Sequence, residues 1–231
     1  MSVSLQAQEH FADRYNVSYI TMDDGLPHNF IDDIYKDTRG FLWISTAGGG
    51  LSRYDGYEFI HFNPNTPHSK LKSNFIHNVY EDRFHRLWIV SEGGTDIIDL
   101  STLQSVIPND PKGLLPRFIN HPTYIVILDS QGCIWLQCDN ALHRITFDAE
   151  GGIDTLSTLD LPEQDEPDLI LKDIDEDGKI WTGINGTIYK ITPTPQGQLE
   201  KSSISEQLIF WPGIYFKDMI AKENEVWIAT H

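Results

Sequence analysis

The chain has 231 residues, 34 of them acidic and 17 basic, for a net charge of −17, and 40% are hydrophobic. That balance argues against nucleic-acid binding, which needs clustered Lys and Arg to neutralise phosphates. It argues equally against docking on an anionic membrane surface. Six Trp, nine Tyr and eleven Phe rule out a disordered polyanion.

At about 100–200 residues per domain the length suits one or two domains. No stretch approaches the roughly 18 consecutive apolar residues of a membrane span. The opening Met1–Gln8 is too short and uncharged for a signal peptide. Residues 1–27 read as a lead-in segment with one strand, Tyr15–Thr21, able to complete or close another sheet.

From residue 28 onward the chain repeats. Trp43, Trp88, Trp135, Trp181 and Trp227 are separated by 45, 47, 46 and 46 residues, and only Trp211 stands outside the series. Asp37-Thr38-Arg39-Gly40-Phe41-Leu42-Trp43-Ile44 returns with Asp129, Gly132 and Trp135, and again with Asp175, Gly178 and Trp181. Two copies are degraded. Around Trp88 the turn glycine is replaced by His85, a poor fit, and around Trp227 it is replaced by Asn224, the next most tolerant residue.

Asp at the first turn position and Gly at the fourth specify a type I turn. A strand precedes each turn, as in Phe30–Tyr35 and Tyr124–Leu128. A Trp-centred strand follows it and ends in small or polar residues, and a third and fourth short strand complete the unit, as in Leu51–Tyr54 and Tyr57–Phe62. Four short strands per repeat of this length describe a β-propeller blade. Helical repeats of similar period fail, because Gly or Pro interrupts nearly every possible helix.

The expected fold is therefore an all-β propeller. Four complete four-stranded blades lie at about 28–63, 74–108, 122–158 and 167–200, with a partial fifth at 214–231. The tryptophans wedge between adjacent blades, where an indole buries a large area. Propellers protect their edges by closing, so the chain reads as the first part of a longer protein. Cys133 and Cys138 lie five apart on opposite faces of an extended segment. Such a segment spans roughly 16 Å against a ~7 Å limit for a disulfide, which predicts two free thiols.

Asp24-Gly25-Leu26-Pro27-His28-Asn29, the Asp37–Thr46 stretch and Gly50–Phe59 together resemble the two-component-regulator propeller repeat. The first copy is closest, and weaker copies extend the likeness over almost the whole chain. Departures are His85, Gly93-Gly94-Thr95-Asp96 where Gly-Leu is usual, and the fifth copy's missing Asp and Gly. The resemblance implies the N-terminal part of the periplasmic sensor of a hybrid two-component histidine kinase, as in gut Bacteroides. There such sensors control genes for polysaccharide use. It further implies a membrane-anchored, dimeric parent protein, with the kinase parts downstream.

The chain itself has no phosphoacceptor-His box and no glycine-rich ATP loop, so it is not expected to phosphorylate anything; what remains is non-enzymatic ligand sensing, which the resemblance implies is of an oligosaccharide, or scaffolding for the part that senses. No cofactor or metal is expected. Asp173–Gly178 matches the start of a calcium loop, but Ile184 stands where the bidentate Glu is needed, and a strand turn explains Asp175 and Gly178. The loops leading into each innermost strand, and those joining second and third strands, open on one face. Polar groups there are His28, Asn29, Asn74, Glu92, Asn140 and Asn185, with Tyr124 and Trp211 as stacking platforms. The plainer alternative is that the asparagines satisfy their own turns. His28 and His77 read as solvated loop or strand-start residues, and Glu163–Asp168 as a solvated acidic loop. A propeller enzyme acting on glycans, or a scaffold binding a basic partner, are the other classes.

Overall fold

Each repeat folds as one antiparallel sheet whose strands follow in sequence order. The computed structural model describes residues 18–67, 70–138, 140–161, 173–175, 177–184, 187–203, 216–222 and 225–230. Blade one contains β1 (Ile31–Lys36), β2 (Leu42–Thr46), β3 (Gly50–Tyr54) and β4 (Phe59–Phe62). Blade two contains β5 (Ile76–Glu81), β6 (Arg86–Ser91), β7 (Gly94–Asp99) and β8 (Gln104–Ser105). Blade three contains β9 (Thr123–Leu128), β10 (Ile134–Cys138), β11 (Ala141–Phe147) and β12 (Ile153–Asp160). Blade four contains β13 (Asp173–Ile174), β14 (Ile180–Ile184), β15 (Thr187–Pro193) and β16 (Leu199–Ser203). A two-stranded sheet, β17 (Phe216–Lys222) with β18 (Glu225–Thr230), follows them.

The fold is the expected β-propeller architecture of four four-stranded sheets and a partial fifth. Residues 18–21 are irregular rather than the expected strand, because Thr21 instead caps a short 3-10 turn at Met22–Asp24. Residues 15–17, the acidic run 163–168 and Trp211 lie outside the described residues, as does the turn at Asn224.

One side chain organises each of the four complete blades. Asp37 accepts hydrogen bonds through Oδ1 from the amides of Arg39 (3.0 Å) and Phe41 (2.9 Å), and through Oδ2 from the Trp43 indole (2.9 Å). Asp82 does the same for Phe84, Arg86 and Trp88, the indole bond being 2.8 Å. Asp129 serves Gln131, Cys133 and Trp135 (indole bond 3.0 Å), and Asp175 serves Asp177, Lys179 and Trp181 (2.9 Å). The Asp175 carboxylate is thus taken up by its turn, as the strand-turn reading requires.

The fourth turn residue is left-handed in all four blades, with φ of 94° at Gly40, 58° at His85, 77° at Gly132 and 75° at Gly178. His85 therefore keeps the turn rather than disrupting it. Its amide donates to the Asp82 carbonyl (3.1 Å) and its Nδ1 lies 2.9 Å from the Glu81 carboxylate.

The blades stack in chain order with the first strand of each innermost, β1 beside β5 and β5 beside β9. Trp43 is buried against blade two with Ile76, Val79, Leu87 and Ile89. Trp88 packs against blade three with Val126, Ile134 and Leu136. Trp135 packs on Ile180 and Ile191 of blade four. The expected wedge is present, and the turn aspartate fixes its direction.

Ile34, Val79 and Val126 share one register position, opposite the residue after each tryptophan. Val79 (2% exposed) and Val126 (0%) are covered by the preceding blade, whereas Ile34 is 59% exposed. That face of blade one is open among the described residues.

Two thiols, Cys133 and Cys138, are free and buried. Burial, reinforced by the Asp129 charge, pushes the Cys133 thiol up to about 11. Arg144 pairs with Asp129 (3.1 Å) and Arg86 with Asp82 (2.7 Å), both within the buried layer.

Asp37→Ala leaves a buried indole N–H and two turn amides unpaired, for an expected loss of about 1–3 kcal/mol. Asp129→Ala also strands the buried Arg144 and is expected to cost more, about 3–5 kcal/mol. Urea unfolding midpoints of the two variants measure that order.

Glu81 joins blade two to blade one by accepting from the Thr38 amide and hydroxyl, each at 2.7 Å. Burial acts to raise its carboxyl, but the Thr38 bonds and His85 outweigh it and hold the net value below the ordinary glutamate range. A carboxylate depressed in the folded state stabilises above its unfolded value, and that contribution is lost as pH falls through the folded value. Glu81→Gln should therefore be less stable at neutral pH, and its melting temperature should fall less than that of the parent on acidification to about pH 3.

Candidate functional site

The innermost strands carry a repeated irregularity at one end. The pairing of β1 with β2 slips at Asp32, that of β5 with β6 at His77, and that of β9 with β10 at Tyr124. Each of the three residues lies eleven positions before its blade's tryptophan (43 − 32, 88 − 77, 135 − 124). In β17 the slip falls at Lys217. An extra strand residue re-aims its side chain, and such bulges collect at barrel rims and next to sites.

The bulges sit at the end of each blade that also carries the hairpin between its second and third strands. These hairpins are tied to the segment leading into the next blade. The Gly50 amide donates to the Asn74 carbonyl (3.0 Å) and the Thr95 amide to that of Ile119 (3.1 Å). Gly94 has φ of 114°, and a Cβ there would stand 2.4 Å from the Ile119 carbonyl oxygen, so only glycine fits. Gly94 occupies the place of Gly50, and the departure from the usual Gly-Leu lies in Thr95, which stands where Leu51 does.

Further along the same strands, side chains of one blade bond the backbone of the next. The Asp33 carboxylate accepts from the Val79 amide (3.3 Å). The Asn78 amide group donates to the Val126 carbonyl (2.9 Å) and accepts from its N–H (3.0 Å). Burial raises the Asp33 carboxyl, against the bonds from Val79 and Ile34.

The candidate residues from the sequence take different places on this face. His28 and Asn29 are exposed but locally engaged, His28 Nδ1 accepting from the Phe30 amide (3.0 Å) and Asn29 Oδ1 from that of Met22 (2.9 Å). Asn140 is exposed, and its carbonyl accepts from the Leu161 amide (2.8 Å). Glu92 is exposed in the β6–β7 hairpin, and Asn74 is half-buried ahead of β5. Asn185 lies outside the described residues.

His77 stands at a strand start, as the second residue of β5, but it is not simply solvated. It is half-buried inside β5, with its ring 5.6 Å from that of Tyr124. Burial pushes the imidazole below its ordinary value, against Glu92 and Asp32, whose charges act to raise it. Asp32 and Asp33 were not singled out by sequence, although the constant eleven-residue offset was there to find Asp32 and His77 together.

Four buried polar atoms at this end have no hydrogen-bond partner among the described residues: Ser45 Oγ, Thr46 Oγ1, Asn74 Oδ1 and His77 Nε2. Buried polar groups are ordinarily paired. Ser45 and Thr46 are only 1% and 0% exposed. Ser45 stands opposite Asp33 and so faces β5 as Asp33 does. These unpaired atoms are enclosed rather than solvent-facing, whereas Asp32 and Glu92 at the same end are exposed.

Residues 25–48 and 70–93 match the family described as two component regulator propeller. No curated protein matches the chain. Among solved structures, one similar protein is the extracellular domain of a proposed hybrid two component system from B. thetaiotaomicron, with 24% identity and a TM-score of 0.60 over 89% of this chain and 27% of that one. A second such domain from the same organism gives 20% identity and a TM-score of 0.54 over 94% of this chain and 34% of that one. Virginiamycin B lyase from Staphylococcus aureus gives 16% identity and a TM-score of 0.54, over 86% and 62% respectively.

At these identities the structural likenesses establish the fold alone, and the chain spans about a third or less of the two extracellular domains. Each matched stretch runs through the lead-in, the first strand, the aspartate turn and the tryptophan strand of one blade. The two stretches that match the two component regulator propeller model form the inner halves of blades one and two.

Proposed function

We propose that the protein is an extracytoplasmic sensor propeller of a hybrid two-component system. In this role it recognises an oligosaccharide or a polysaccharide breakdown product and passes the signal to a histidine kinase. The match of two successive blades to the regulator-propeller repeat carries this reading. Support comes from the fold shared with extracellular domains of proposed hybrid two component systems.

The segment itself acts by binding, and no catalytic step is assigned to it. Its parent is membrane-anchored, periplasmic on the sensor side and dimeric, so that a ligand-induced shift between blades alters the pairing of the kinase halves. Sugar hydroxyls suit the carboxylate, amide and imidazole groups of the bulged end, and an aromatic face suits a pyranose ring.

Titration calorimetry of the full natural protein against a panel of glycan-breakdown oligosaccharides is expected to show saturable heat with at least one member. Heat from none of a broad panel, together with catalytic turnover of any of them, would replace the sensor by an enzyme.

A further inference from the structure

The open face of blade one is built like the faces that blades two and three bury. Leu42 pairs with Tyr54 where Leu87 pairs with Ile98 and Ile134 with Ile145. Ile34 pairs with Ile44 where Val79 pairs with Ile89 and Val126 with Leu136. Beside Ile44, Ser52 Oγ lies 2.9 Å from His61 Nδ1, and beside Leu136, Thr158 Oγ1 lies 3.0 Å from His143 Nδ1. In blade three this surface is closed by Trp88, which packs with Val126, Ile134, Leu136 and Ile145. In blade one Ile34 and His61 are exposed.

The three seams between the complete blades show what such a surface receives. Each takes an indole from the preceding blade, held by that blade's turn aspartate. The second turn residue reaches across as well. Thr38 donates to Glu81, Arg83 donates to the Phe147 carbonyl (3.2 Å), and Ser130 stands against Gly178. The two-stranded sheet is engaged elsewhere, since β17 lies against β13 and β14 of blade four. One position changes character between blades. Glu81 closes β5, and the same register place at the end of β1 holds Lys36. Lys36 is exposed, and the ion pairs among the described residues leave it out. An ammonium group only donates, so a partner that meets it must accept. A carboxylate accepts and also carries the opposite charge, which gives the stronger bond.

We propose that this face receives a further blade of the same polypeptide, from outside residues 1–231. That blade lays its own aspartate-held indole over Ile34, Leu42 and Ile44. It sets an acidic residue, at the second position of its turn, against Lys36. Continuity with the existing seams favours this occupant, because each joins the indole side of one blade to the opposite side of the next. Two copies meeting through their open faces would bring no indole to the contact. Room for such a blade is consistent with the chain's spanning about a third or less of two extracellular domains of similar fold. The seam at blade one thus differs from that between blades one and two in using an ion pair where the latter uses a hydroxyl and an amide on a carboxylate.

Zero-length carbodiimide cross-linking of the full natural protein, read by mass spectrometry on a mixture of unlabelled and nitrogen-15 copies, tests the occupant. Lys36 should couple to an acidic residue five positions before a tryptophan, as Thr38 is before Trp43. Both ends of that product should carry the same isotope. Hydroxyl-radical footprinting of the same protein should find Ile34 as little modified as Val79, with the exposed Ile107 as the reactive reference. Lys36→Glu should lower the melting temperature by several degrees and more than Lys36→Gln, because it sets like charges together at the seam.

Ile34 modified as readily as Ile107 would show the face uncovered and overturn the proposal. Lys36 products of mixed isotope would replace the further blade by a second copy. Protection of Ile34 without a Lys36 product, or equal melting of Lys36→Glu and Lys36→Gln, would overturn the ion pair. None of these outcomes depends on what the protein senses, so the sensor reading is tested separately.

Discussion

In each of the four complete blades an aspartate at the first position of a turn receives two backbone amides on one oxygen and the indole N–H of the following strand on the other. A carboxylate buried without partners costs several kcal/mol. Here hydrogen bonds to the charged form offset that cost, and such charge-assisted bonds are about twice as strong as neutral ones. The consequence is geometric. The turn cannot close without setting the indole, and the indole's direction decides which blade it packs on. Local turn chemistry and long-range stacking are therefore one event, and in blades two and three it also recruits a buried arginine.

Much of this order was legible in the residues. The tryptophan period, the Asp and Gly of the turn and the alternation of short strands with small-residue hairpins led to the correct sheets. A period of this length has few structural solutions, and each position in it has a steric or hydrogen-bonding reason. Sequence spacing marks the aspartate as a turn cap alone. Its second oxygen serves a residue six positions on, and only a folded hairpin brings the two together. His85 looked like a defect because propensity disfavours a non-glycine residue in the left-handed region. Its contact with Glu81 and its turn hydrogen bond hold it there. A cation stands opposite the tryptophan at Arg53, Arg144 and Lys190, but Ile97 breaks the series in blade two and hides it from the sequence pattern.

The candidate ligand face is less legible for a physical reason. Binding residues on a propeller need not repeat, so periodicity, the strongest signal in this chain, is silent about them. Loop asparagines and histidines drew attention by residue type. His28 and Asn29 instead spend hydrogen bonds on neighbouring backbone. The bulge residues belong to strands and were hidden among ordinary strand positions. What distinguishes them is the failure of pairing at the same level in successive blades, together with polar atoms that the fold leaves unmatched.

Indole hydrogen exchange, followed residue by residue in heteronuclear NMR spectra, addresses the aspartate–tryptophan link most directly. The indole protons of Trp43, Trp88, Trp135 and Trp181 should resist exchange until the blades open and should lose that protection together with the adjoining turn amides. Exchange at the rate of free indole under native conditions, with the turn amides still protected, would show that the turns form without the tryptophans and that the link does not organise the blade.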